Sequence, residues 1–119
     1  MAEHNDLGKQ GEQMAIEHLI SKGYQILETN FRYQKTEVDI IAKHNETLAV
    51  IEVKTRSTKS FGNPEEFLKA KQIHRIVNAI DHYVQSNELN VEVRFDIIGI
   101  IKTDQKTEIQ HLENAYFHF

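Results

Sequence analysis

Three charged side chains stand in otherwise apolar surroundings. Asp39 lies inside Glu37-Val38-Asp39-Ile40-Ile41-Ala42, and Glu52 and Lys54 lie inside Leu48-Ala49-Val50-Ile51-Glu52-Val53-Lys54. Both runs are rich in β-branched residues and are divided by the polar His44-Asn45-Glu46-Thr47, so they read as the two strands of a hairpin. With the turn centred between Asn45 and Glu46, paired residue numbers sum to 91 and Asp39 falls opposite Glu52. Opposed residues carry Cβ atoms about 4.5–5.5 Å apart. Lys54 shares their face, because side-chain direction repeats every second residue. Two facing carboxylates in a partly buried sheet are costly. Either Lys54 neutralises one of them as an ion pair, or a divalent cation binds both. A hard ion such as Mg²⁺ takes oxygen ligands and keeps several waters, and it can activate a water and clamp a phosphate oxygen. Lys54 would then orient that water or counter charge on the phosphate. A one-residue slip in register would send Asp39 to the other face and remove the site.

These strands need a scaffold. A first helix is expected from Leu7 to Ser21, with Met14, Ala15, Leu19 and Ile20 near a 3.6 period and Gly23 as its stop. Tyr24 to Tyr33 reads as an irregular first strand. A long second helix begins with Asn63 as cap, Pro64 at the first helical position and Glu66 completing a capping box. Its apolar stripe is Phe67, Ile73, Ile76, Val77, Ile80, Tyr83 and Val84, while Lys71, Arg75, Asn78 and His82 fall on a different face. Val91 to Asp96 alternates, Ile97 to Ile101 is apolar, and a turn near Thr103–Lys106 leads to a last strand or extended tail. The order α-β-β-β-α-β-β predicts an α/β fold on a mixed sheet.

The 119 residues fit one domain, with a core over about 8–101 and the strand or tail at 102–119. The chain has no cysteine, which excludes a disulfide scaffold, a zinc ribbon and a thiol nucleophile. Met1 to Asp6 has neither a basic nor an apolar leader region, and no apolar run reaches the roughly 18 residues of a membrane span. A cytoplasmic, reducing setting with no membrane partner is expected. The net charge of −4 disfavours a general nucleic-acid binder. Residues 54–75 reverse that sign locally, with six Lys and Arg against two Glu. Such a run is either a solvated face or a phosphate-binding one.

Gly11-Glu12-x-x-Ala15, Gly23-Tyr24, Asn30-Phe31-Arg32, Glu37-Val38-Asp39-Ile40-Ile41-Ala42, Ile51-Glu52-Val53-Lys54-Thr55-Arg56, Gly62-x-Pro64, Lys71-x-x-x-Arg75 and Arg94-Phe95-Asp96 follow one another in that order. Together they resemble the YraN-type family of small bacterial proteins. The Asp39…Glu52-x-Lys54 spacing is similar to the D…(D/E)-x-K signature of the restriction-endonuclease-like superfamily, which includes archaeal Holliday junction resolvases. The resemblance implies a three-layer core with a central mixed sheet flanked by helices. It also implies a metal-dependent endonuclease hydrolysing DNA phosphodiester bonds. Carried over by position, Asp39 and Glu52 would hold Mg²⁺ or Mn²⁺, with the Val53 carbonyl and Glu12 as further ligands, and Lys54 would assist the attacking water. Thr36 stands where the family often has Gly, and no Pro precedes Asp39.

Arg56, Lys59, Lys69, Lys71 and Arg75 are the candidate contacts to a DNA backbone. The partner expected is DNA, including branched DNA, and a homodimer would suit cleavage of two strands. Glu12 and Glu37 also read as ordinary solvated carboxylates, and Asn63 reads as a cap. The seven histidines form no site by spacing, and no nucleophile elbow or phosphate-binding glycine loop is present. Two other function classes fit the same residues. One is a non-catalytic nucleic-acid-binding module, and the other is an interaction or structural protein in which Glu52 and Lys54 are only an ion pair.

Overall fold

A computed structural model describes residues 2–57 and 70–115, with side chains described for 7–57 and 71–115. The elements are α1 (Ala2–Ser21), β1 (Gln25–Tyr33), β2 (Thr36–His44), β3 (Thr47–Arg56), α2 (Ala70–Ser86), β4 (Glu92–Lys102) and β5 (Thr107–Leu112). The five strands form one sheet in the order β1-β2-β3-β4-β5. Neighbours are antiparallel except β3 and β4, which run parallel. The mixed α/β sheet and its element order are those expected.

Among the described residues, each face of the sheet carries one helix. On one face Ala15 and Leu19 of α1 pack with Tyr24, Ile40, Ala42, Ala49, Ile51, Ile98 and Ile100. On the other, Ile76, Ile80 and Tyr83 of α2 pack with Val38, Ile41, Leu48, Val50, Phe95 and Ile97. In β3 the allocation follows the pleat: Leu48 and Val50 face α2, while Ala49 and Ile51 face α1. Buried on both faces, β3 and the middle of β4 read as continuous apolar runs, as strands covered on two sides must. The three layers expected are therefore present.

The helix stop at Gly23 is a Schellman closure. Tyr24 N–H donates to the Leu19 carbonyl at 2.9 Å and Gly23 N–H to the Ile20 carbonyl at 3.0 Å, with Gly23 at φ 92°. The hairpin turn falls on Asn45 and Glu46, with Asn45 left-handed at φ 55° and His44 paired to Thr47.

Several boundaries differ from expectation. Helix α1 begins at Ala2 rather than Leu7. Ile20, expected on its apolar stripe, is exposed. The alternating and apolar segments after α2 form one continuous strand, β4. The last segment is a strand, since β5 pairs with β4 from Ile97–Leu112 to Lys102–Thr107. The apolar stripe of α2 is confirmed from Ile73 to Val84. Its expected start at Asn63, Pro64, Glu66 and Phe67 lies outside the described residues, as does Gly62 of the ordered motifs.

Candidate functional site

The β2–β3 register is the expected one: Ile40–Ile51, Ile41–Val50, Ala42–Ala49, Lys43–Leu48 and His44–Thr47 all follow the same sum. The ladder stops at Ile40–Ile51, one step short of Asp39 and Glu52. On the other side, β1 pairs Thr29 with Ile40 and Phe31 with Val38, passing over Asn30 and Asp39. Asn30 is left-handed at φ 54°. Val38 packs in the α2-side core and Ile40 in the α1-side core, although a regular pleat would put both on one face. The strand therefore loses its alternation at Asp39. The expected direct opposition of Asp39 and Glu52 is replaced by an opening between two strands that have just parted.

Into that opening the Asp39 carboxylate turns, and its Oδ2 accepts the Val53 N–H at 2.8 Å. A residue in a strand sends its N–H and C=O toward the same neighbour. The Val53 carbonyl thus leaves β3 on the Asp39 side, beyond the end of the β2 ladder. Lys54 Nζ lies 3.3 Å from Glu52 Oε2, with both side chains largely covered. Helix α1 reaches this end of the sheet because Gly11 sits directly against Thr55. A Cβ at position 11 would overlap the Thr55 Oγ1 and stand 3.0 Å from its Cβ. Only glycine permits so close a crossing, and it brings the half-buried Glu12 within electrostatic reach of both carboxylates.

The site is short of positive charge. Burial and the Glu52 charge push Asp39 up to about 7, against the Val53 hydrogen bond that favours its ionised form. Burial also raises Glu52; the adjacent Lys54 ammonium opposes this, while Glu12 and Glu37 add to it. Asp39 is thus poised between its neutral and charged forms near pH 7, with the neutral Val53 N–H as a hydrogen-bond donor to it. Among the described residues no three His, Asp or Glu side chains are drawn together tightly enough to hold an ion. The donors around the opening are oxygens: the Asp39 carboxylate and the Val53 carbonyl, with the Glu52 and Glu12 carboxylates in electrostatic reach. Such a set suits Mg²⁺ or Mn²⁺ rather than a softer metal.

The basic residues divide. Arg56 is exposed and donates from Nη1 to the Thr55 carbonyl at 3.0 Å. Lys71 and Arg75 are exposed on α2. Lys59 and Lys69 lie outside the described residues. Glu37 is ion-paired to Arg32 at 3.3 Å.

A second polar cluster was missed by spacing alone. Asp96 is fully buried on the α1 side of β4. It accepts from Arg94 Nη2 at 2.8 Å and Nε at 2.9 Å, and from the Asn114 N–H at 2.9 Å. His111 Nε2 lies 2.9 Å from Asp96 Oδ2, and the His18 and His111 rings meet edge to face at 5.8 Å. Burial pushes the Asp96 carboxyl up, but the hydrogen bonds from His111, Arg94 and Asn114 outweigh it and hold it below its ordinary value. The histidines expected to be unrelated are joined because β5 pairs Ile98 with His111. The signal was present in Arg94-x-Asp96, two charges at period two in an apolar strand, the same pattern as Glu52-x-Lys54. Asp96, Arg94, His111 and Asn114 satisfy one another, while the buried His18 Nε2 has no hydrogen-bond partner among the described residues, and the cluster ties α1, β4 and β5 together.

The family model described as Uncharacterised protein family UPF0102 matches residues 11–100, the span that holds every residue of the site. A UPF0102 protein of Christiangramia forsetii is 60% identical over 119 residues, covering the whole of both chains. One from Flavobacterium psychrophilum is 51% identical over the same full length. One from Phocaeicola vulgatus is 44% identical over 98% of this chain and 97% of its own. The ordered motifs, the layered sheet and these matches agree: the chain belongs to the UPF0102, or YraN, family.

Proposed function

We propose that the protein is a metal-dependent endonuclease acting on DNA phosphodiester bonds, with branched or structured DNA as its substrate class. The observation that carries this is Asp39: a half-buried carboxylate beside a second one, pushed up to about 7 and turned to the parted strands where Val53 presents its main chain. A protein gains little stability from such a group, whereas a cation site requires it.

Asp39, Glu52 and the Val53 carbonyl would hold Mg²⁺ or Mn²⁺, with Glu12 as a further ligand. The ion supplies Lewis acidity to a phosphoryl oxygen and a nucleophilic water at neutral pH. Lys54 then has two tasks. Its ammonium favours the ionised form of Glu52, and once the cation shares that carboxylate it would stabilise charge developing on the phosphate. Arg56, Lys59, Lys69, Lys71 and Arg75 are assigned to the backbone, where Lys and Arg supply most sequence-independent affinity.

The test is cleavage of junction, flap, linear and single-stranded DNA with Mg²⁺ or Mn²⁺. Asp39→Ala and Lys54→Ala should each abolish measurable turnover. Cleavage that persists in both variants overturns the site. A second reading rests on the Glu52–Lys54 pair at 3.3 Å, which already satisfies one carboxylate without any metal. Salt-sensitive DNA binding without cleavage, unchanged by Asp39→Asn, would favour a binding module that keeps the fold.

A further inference from the structure

The turn between β1 and β2 leans over α2 and encloses a depression of about 400 Å³ lined by Tyr33, Gln34, Lys35, Thr36, Arg75 and Asn78. Its outer wall is fixed in place. The Tyr33 ring stacks on His82 with centroids 4.4 Å apart and planes 26° from parallel, and Phe31 packs edge-on against Tyr83 at 5.2 Å. Two cations line it, Lys35 from the turn and Arg75 from the helix, and both are exposed. Among the described residues neither has a carboxylate partner. The nearest carboxylate along the turn, Glu37, is already taken by Arg32. Gln34 and Asn78 add neutral amide donors.

We infer that this depression binds backbone phosphates of the DNA strand that enters the site, a specific subsite formed jointly by Lys35 and Arg75. The inference rests on the nuclease reading and deepens it by fixing the strand's direction of approach. Lys35 stands in a part of the sequence with no basic run, so the charge block from Lys54 to Arg75 gives no hint of it. Thr36 and Asp39 are three residues apart on β2, a span of about 10 Å at a strand's rise. A DNA strand carries one phosphate per roughly 3.4 Å of axis. The depression therefore takes a phosphate about three nucleotides from the bond beside Asp39. Two cations that reach a polyanion from separate elements make a clamp, whose strength falls with salt as counterions compete.

The experiment is fluorescence anisotropy of labelled single-stranded and branched DNA in EDTA, so that no turnover occurs, over about 50–200 mM salt. Lys35→Gln, Arg75→Gln and the double variant are compared with wild type and with Lys106→Gln, an exposed control on the β4–β5 turn at the opposite edge of the sheet. Each single variant should lower the slope of log affinity against log salt by about one, and the double by about two. Affinity at the low-salt end should fall roughly tenfold in the double variant. Lys106→Gln should match wild type. If wild type binds and the double variant matches it in slope and affinity, the subsite is overturned while the nuclease reading stands. If wild type binds neither DNA at 50 mM salt, both fall. Since both side chains are exposed, unchanged thermal midpoints will show that any loss is not a folding defect.

Discussion

The Oδ2 atom of Asp39 accepts the Val53 N–H at 2.8 Å, in the place where a continued β2 would offer a main-chain carbonyl. A side chain thus substitutes for backbone at the moment two strands part. That exchange lets the sheet open without orphaning a buried N–H, whose loss would cost about 1–3 kcal/mol. It also fixes the carboxylate's position through the fold itself rather than through a loop.

Asp39 should make the fold less stable as pH rises. It titrates at about 7 in the folded protein against an ordinary value of 3.8, so the folded state holds the proton across that window. The favourable contribution is complete below pH 4, declines as pH rises and is gone above 7. Asp39→Asn keeps an oxygen for the Val53 N–H and removes the charge. It should raise stability at pH 8 by about 1–2 kcal/mol and leave it unchanged at pH 4. Urea denaturation at the two pH values measures this; equal midpoints for variant and wild type at pH 8 would refute it.

Metal affinity should carry the opposite trend. A carboxylate ligand must be ionised, so binding releases the Asp39 proton. Affinity for Mg²⁺ or Mn²⁺ should climb by about tenfold per pH unit below 7 and level off above it. Calorimetric titration at pH 6, 7 and 8 reads this directly. A flat profile across that range would remove Asp39 from the ligand set.

The Gly11–Thr55 crossing should tolerate no side chain at position 11. Gly11→Ala should cost about 1–3 kcal/mol as the helix is pushed off β3. Adding Thr55→Ala removes the overlapping hydroxyl and should restore part of the loss, giving a coupling of about 0.5–3 kcal/mol in a double-mutant cycle. Strict additivity would mean that the two residues do not meet.

Asp96 is the structural counterpart of Asp39. Asp96→Ala takes from the largely covered Arg94 guanidinium its buried ion-pair partner, leaving it the Tyr24 hydroxyl and the exposed Glu113, and should cost about 3–5 kcal/mol. Its carboxyl is held below the ordinary value, so its contribution is complete above about pH 4 and is lost as pH falls through the folded value. Thermal melts between pH 3 and 6 should show a steep acid limb that Asp96→Asn flattens. An unchanged acid limb would dismiss the cluster as a stabilising element.

The hairpin was legible because its information is local: β-branched runs, a polar turn at Asn45-Glu46 and a period of two. That was enough to predict the register and the gathering of Asp39, Glu52 and Lys54 at one end of it. The break in β2 was not legible, since it depends on Asn30 of another strand adopting a left-handed conformation opposite Asp39. The Asp96 cluster was hidden for a similar reason. His18, Arg94 and His111 are far apart in sequence, and only the pairing of β4 with β5 and the docking of α1 join them. In α1, Ile20 fits the helical period yet is exposed, because a helix on a sheet covers a narrower stripe than periodicity suggests.

The parallel pairing of β3 with β4 separates two timescales. Asp39, Glu52 and Lys54 lie within a hairpin that can close in about 1–10 μs. Thr47 must find Glu92 across a much longer stretch of chain that includes α2. Long-range pairing of this kind is intrinsically slow. The hairpin that carries these like charges can thus form ahead of the strand that completes the sheet beside it.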